Sequence, residues 1–282
     1  FVNTRNCGAT QTLQLRPGAV WKNKKGFLQF LSMFSNSTSL RTYQKNTLQH
    51  DIRSINPYQF NLDDSVVVSQ NLNLKNSLGF SLPNPYFSAD YTYYNAQSKN
   101  LLYYGLESNH SINHQVTLRS SPHKILIIKT IYTNNTHNSN SDYLNDRSFD
   151  ILSHTLNNSI TLNFPFQLSL TAICEMAYKN NRLGPDRANL YTAELTADFR
   201  MKQRGTISVN LRYTHINYNQ SENSAIAYEM LGGLTTGNNF LWNATYQTKL
   251  FEYLQLNFQY EGRLTNDNRL IHTGFLQLKA LF

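Results

Sequence analysis

The chain has 282 residues, of which 40% are hydrophobic and 15% charged, and 25 Lys and Arg against 17 Asp and Glu give a formal net charge of +8. Soluble domains carry about 25% charged residues, so the charge content is low, yet the longest apolar run, Ile125–Ile128, is far short of the ~18 residues of a membrane helix. Helical membrane spanning is excluded, and crossing by strands, which needs about 9–11 tilted residues each, is not.

Residues 1–9 show no pattern and read as an N-terminal tail or the end of a preceding region. Two readings of the start stay open: a mature chain that has lost a signal peptide, or the C-terminal part of a longer polypeptide. From Thr12 the residues alternate through Leu13, Leu15, Ala19 and Trp21, interrupted by Pro17. Asn23-Lys24-Lys25-Gly26 reads as a turn, and Phe27 to about Gln44 as one long strand, apolar early and polar later. Residues 46–63 read as a loop.

Alternation resumes at Ser65–Leu82, with Val66, Val68, Leu72, Leu74, Leu78 and Phe80 on one face and Asn73, Lys75 and Ser77 on the other. Strands are predicted over Phe87–Tyr93, 101–119 and Lys124–Thr133, followed by a polar loop at 134–147. Leu156–Phe164, Leu168–Tyr178, Tyr191–Phe199 and Ile207–Tyr213 each set an apolar row against a polar one, as successive side chains of a strand must. After a polar connection at 217–224, Ile226, Tyr228 and Met230 read as a further short strand, and Trp242, Ala244 and Tyr246 as the next. The glycines between them leave open a single long strand with a bulge.

The last stretch is the most regular. Leu254, Leu256, Phe258 and Tyr260 oppose Gln255, Asn257, Gln259 and Glu261, and after a turn at Thr265–Asn268 the row Leu276, Leu278, Ala280 and Phe282 follows. An amphipathic last strand closing on Phe282 resembles the C-terminal strand of Gram-negative outer-membrane β-barrels. The resemblance implies that Leu276, Leu278, Ala280 and Phe282 close the barrel and carry the signal read by the barrel-insertion machinery.

The expected fold is therefore all-β: a transmembrane antiparallel up-and-down β-barrel of about fourteen strands, within a range of 12–16, over residues 10–282. Alternating segments recurring about every twenty residues match this better than a soluble β-sandwich, whose turns recur every 8–12 residues. Phe164, Tyr178, Tyr191, Tyr213 and Tyr260, near strand ends, suit the headgroup level of a bilayer.

Charged residues at lumen-facing parity are Glu175, Lys179, Glu194, Asp198, Arg200, Arg212, Glu229, Lys249, Glu261, Arg263 and Lys279. They read as ion-paired filling that holds the wall in shape or as charges that tune which solutes pass. Eight histidines, among them His110, His114, His215 and His272, show no metal-ligand spacing. Leu231–Asn239 is glycine-rich but lacks the Lys-Ser/Thr pair of a phosphate loop. Cys174 reads as a small apolar residue, with a Cys7–Cys174 disulfide as the alternative. Basic residues are spread over turns and polar faces, clustering only at Lys22, Lys24 and Lys25, which speaks against nucleic acid.

The expected function is a membrane anchor or membrane subunit of a larger cell-surface protein or assembly. A passive or weakly selective porin-like channel is the alternative, and an outer-membrane hydrolase the least supported. No cofactor or catalytic residue is expected. The expected surroundings are outer-membrane lipid and lipopolysaccharide, with other outer-membrane or surface proteins as further partners.

Overall fold

The computed structural model describes residues 4–17, 26–47, 67–82, 86–103, 105–142, 147–201, 205–251, 253–266 and 270–280. Thirteen strands occur among them: β1 (Thr4–Leu15), β2 (Phe34–Thr47), β3 (Val67–Ser81), β4 (Phe87–Leu102), β5 (Gly105–Ser120), β6 (Leu126–Ser141), β7 (Phe149–Asn163), β8 (Leu168–Asn181), β9 (Arg187–Met201), β10 (Gly205–Tyr218), β11 (Gly237–Phe251), β12 (Leu254–Leu264) and β13 (Leu270–Ala280). Each is hydrogen-bonded to its neighbours in sequence, in the order β1 to β13, with antiparallel registers. The all-β, up-and-down expectation is borne out, and thirteen described strands fall within the expected range.

Four local readings differ. Phe27–Leu31 is a short helix, α1, and the strand starts only at Phe34. Phe27, Phe30 and Leu31 stand at the i, i+3, i+4 spacing of a helix face, a period the alternation hides. Residues Ala225–Leu231 form a second helix, α2, not a strand. Ser224 accepts from the Ala227 N–H at 2.9 Å, Gly232 ends the helix at φ 63°, and Ala227, Met230 and Leu231 make its buried face. The stretch 134–141, read as loop, continues β6, because the sheet pairs backbone groups whatever the side chains are. β1 begins at Thr4, inside the stretch read as a tail. Ala19, Trp21, the Lys22–Lys25 cluster and Phe282 lie outside the described residues.

Two compact units are distinguishable. The first takes 1–118, 132–154 and 180–185; the second takes 119–131, 155–179 and 186–282. In the first, Phe30, Phe34 and Phe80 pack with ring centroids 5.1 to 6.3 Å apart and hold α1 against β2 and β3. In the second, the indole of Trp242 lies across Gly262, its register partner, and meets His272 edge-on at 5.9 Å.

The large apolar side chains are for the most part not buried by protein. Leu195, Leu211, Leu276 and Leu278 are each more than half exposed, in the row that alternation assigned to the outside. Cys174 is exposed in the same row of β8, and both cysteines are free thiols.

A Cβ added at Gly262 would lie 2.0 Å from the Trp242 ring. Gly262→Ala is expected to displace the indole and cost about 1–3 kcal/mol, read by urea unfolding in detergent together with a shifted tryptophan emission. Gly274→Ala, where nothing lies within 4 Å, is the control and should change neither. Ser224→Ala removes the acceptor of α2 and should cost about 1 kcal/mol, seen as faster amide hydrogen exchange confined to Ala227–Leu231.

Candidate functional site

Along the polar rows, short hydroxyl and amide side chains bond across neighbouring strands. In the first unit Ser69 donates to Asn100 at 2.8 Å, Tyr94 to Asn73 at 2.9 Å, Ser77 meets Thr92 at 3.3 Å, and Ser111 donates to Asn135 at 3.1 Å. In the second, Thr161 meets Thr171 at 3.0 Å and Thr192 meets Thr214 at 3.1 Å. The two-residue period puts these groups on one face, and the antiparallel register puts them opposite each other.

The charges expected on this face gather on β8 to β13. Arg212 is the register partner of Glu194, and its Nε and Nη2 both reach Oε2 of that carboxylate at 2.7 Å. Asn210 donates to the other oxygen of Glu194 at 2.6 Å and to Thr196 at 2.9 Å. Asp198 accepts from Ser208, Glu175 from Asn157 at 2.8 Å, and Glu261 from Asn243 at 3.0 Å and from Gln259. Arg200 lies across from Thr206, and Lys249 and Lys279 flank Gln255 in the register of β11 to β13. Glu229 is the exception: it lies on α2, exposed, not on a strand.

Two of the cations do something alternation could not foretell. Lys179 Nζ donates to the Met230 carbonyl at 2.7 Å, and Arg263 Nη2 to the Gly233 carbonyl at 2.8 Å. Met230 lies in the last turn of α2, where backbone carbonyls lack helical partners, and Gly233 follows its cap, Gly232. The connection 219–236 is thereby fastened to the polar face from β8 on one side and β12 on the other. Ala227 and Met230 are fully buried, Leu231 nearly so, and Glu222 closes the base of the connection by accepting from the Thr236 N–H at 2.9 Å. The missed signal was the pair Ser224 and Gly232 bracketing a helix-period apolar set.

A cavity of about 350 Å³ lies between this connection and the strands. Glu175, Lys179, Glu194 and Arg212 line it, with Leu231 and Leu234 contributed by the connection. A second, of about 420 Å³, lies along β10 to β13 beside Asn243, Glu261 and Arg263. No group of three or more His, Cys, Asp or Glu suited to a metal occurs among the described residues.

The outward row carries a repeated pair that sequence reading missed. Tyr91 bonds His114 Nδ1 at 2.8 Å, Tyr132 bonds His154 Nδ1 at 3.0 Å, and Tyr260 bonds His272 Nδ1 at 2.7 Å. Each pair joins neighbouring strands with its rings stacked. Tyr213, one of the expected girdle residues, packs on Phe240 at 4.8 Å.

No protein-family model matches the chain, and no curated protein does. Among solved structures, it is similar to the ferric-catecholate import receptor Fiu of E. coli K12 in its open form. The TM-score is 0.53 at 10% identity, over 98% of this chain and 56% of the receptor, so the chain spans little more than half that receptor's length. CdiB from Acinetobacter baumannii matches at TM-score 0.46 and 9% identity, over 99% of this chain and 54% of that one. The translocator domain of the autotransporter NalP from Neisseria meningitidis matches at 0.35 and 8%, over 99% and 88%. The first agrees with the strand order and the outward apolar row: the chain has the antiparallel up-and-down fold of the Gram-negative outer-membrane β-barrels.

Proposed function

We propose that the chain is an integral barrel of a Gram-negative outer membrane that acts as a narrow, weakly selective channel, its polar face turned to the lumen and partly covered by the connection 219–236. The observation that carries this reading is the make-up of that face. Cross-strand pairs of Ser, Thr and Asn keep long stretches of it polar and short-chained. A lumen lined in this way stays hydrated. The charges concentrate at the connection, where a permeating solute would meet them.

A second reading, a membrane anchor or subunit of a larger surface assembly, is favoured by one specific feature. The connection is held from β8 and β12, so a covered face with no through-path also accounts for it. Solute, partner and any larger assembly belong to the proposal, as does contact with lipopolysaccharide and insertion machinery. The proposed insertion signal is the row Leu276, Leu278 and Ala280, which shares one face of β13 and lies opposite Phe258, Leu256 and Leu254 of β12.

Planar-bilayer recording separates the two readings. The wild type is expected to give small ohmic steps. The double variant Lys179→Met, Arg263→Met is expected to give steps roughly two- to threefold larger, because the connection loses both its fastenings. A folded, heat-modifiable barrel that stays silent in both forms would reject the channel and leave the anchor.

A further inference from the structure

We propose that the polar face of β9 to β13, at the end away from the connection 219–236, is a binding site for a small polyvalent oxyanion. The proposal rests on that face lining a water-filled lumen, but not on the lumen conducting.

A cavity of about 320 Å³ lies there, lined by Arg200, Thr206, Gln247, Lys249 and Gln255. The register gathers these residues. Arg200 lies across from Thr206, Thr206 from Gln247, and Lys249 and Lys279 on either side of Gln255. Neighbouring strands are about 4.8 Å apart, so the backbones at Lys249 and Lys279 are about 10 Å apart, a span that two lysine side chains close around one small ion.

Nothing answers these three cations. On the same face Arg212 has Glu194, and Lys179 and Arg263 each have a backbone carbonyl. Among the described residues, the side chains of Arg200, Lys249 and Lys279 make no hydrogen bond or ion pair. No Asp or Glu among the described residues lines the cavity. Asp198 stands two residues from Arg200 on β9, and Ser208 already donates to it.

Three positive charges without a counter-charge repel one another, and a polyvalent anion removes that repulsion. The neutral lining agrees in sign: the Gln247 and Gln255 amides and the Thr206 hydroxyl can each donate to an anionic oxygen. Lys279 has the opposite parity to the exposed Leu276 and Leu278, so the ligand is a dissolved ion and not a lipid headgroup.

Titration calorimetry of the folded barrel in an uncharged detergent tests this with sodium pyrophosphate and sodium citrate as probes. Both should bind saturably, and more weakly as sodium chloride is added. The tighter of the two shows whether the site favours phosphoryl or carboxylate oxygens. The double variant Lys249→Gln, Lys279→Gln should weaken both anions at least tenfold. Lys75→Gln, which removes a cation of β3 outside the cavity, should leave them unchanged, with heat-modifiability on gels confirming that each variant folds. No heat from either anion, an equal loss in Lys75→Gln, or no loss in the double variant would each overturn the assignment. Because the assay needs no conduction, a silent barrel that binds pyrophosphate or citrate rejects the channel and keeps the site. A conducting barrel that binds neither anion rejects the site and keeps the channel.

Discussion

The structure depends on one constraint: most of the described strands have an apolar row that protein does not cover and a polar row that must satisfy itself. Leu195, Leu211, Leu276 and Leu278 stand exposed in the first row. Apolar surface on that scale is stable only where something apolar covers it, and in this fold the cover is hydrocarbon. From β2 to β12 the backbone groups are consumed by pairing with both neighbours in the sheet. The polar row cannot turn to lipid, so its hydroxyls, amides and charges pair across strands instead.

That constraint explains why the charged groups are arranged as they are. Glu194 receives Arg212 from one register partner and an amide from Asn210 two residues along, so both of its oxygens are occupied. Glu261 is held by two amides instead of a cation, which leaves Arg263 to reach the connection. Lys179 does the same from β8. Cations at the end of a helix meet carbonyls that lack partners and the negative end of the helix dipole, so the fastening solves a problem for the helix as well as for the wall. The connection thus becomes part of the polar face, and a cavity of balanced charge results.

The strands were legible because their signal is local. A period of two over ten residues cannot be produced by a helix, and the rows of β8 and β9 return as alternating exposure along Ala172–Tyr178 and Asn189–Leu195. That these charges share the polar face was legible for Glu175, Glu194, Arg212 and Glu261 for the same reason. The misses share one cause. Ile226, Tyr228 and Met230 alternate, but Ala227, Met230 and Leu231 also fit a helix, and only the caps and a surface to pack on choose between the periods. Asn134–Ser141 has no apolar row at all, so its place in β6 comes from its neighbours in the sheet.

What the sequence determined by itself was the two-sided strand, repeated until a membrane-spanning barrel was the reading that used both faces. Alternation records which residues share a face but not which strand lies opposite or at what offset. Register decided that Arg212 meets Glu194, that Trp242 covers Gly262, and that Tyr260 meets His272, diagonal to it on the neighbouring strand. Folding also decided that a connection read as polar loop and strand would carry a helix and lie on the polar face. Such contacts join residues far apart in sequence, Arg263 to Gly233 across 30 positions and Lys179 to Met230 across 51. Their free energy depends on geometry that no local pattern of side chains encodes.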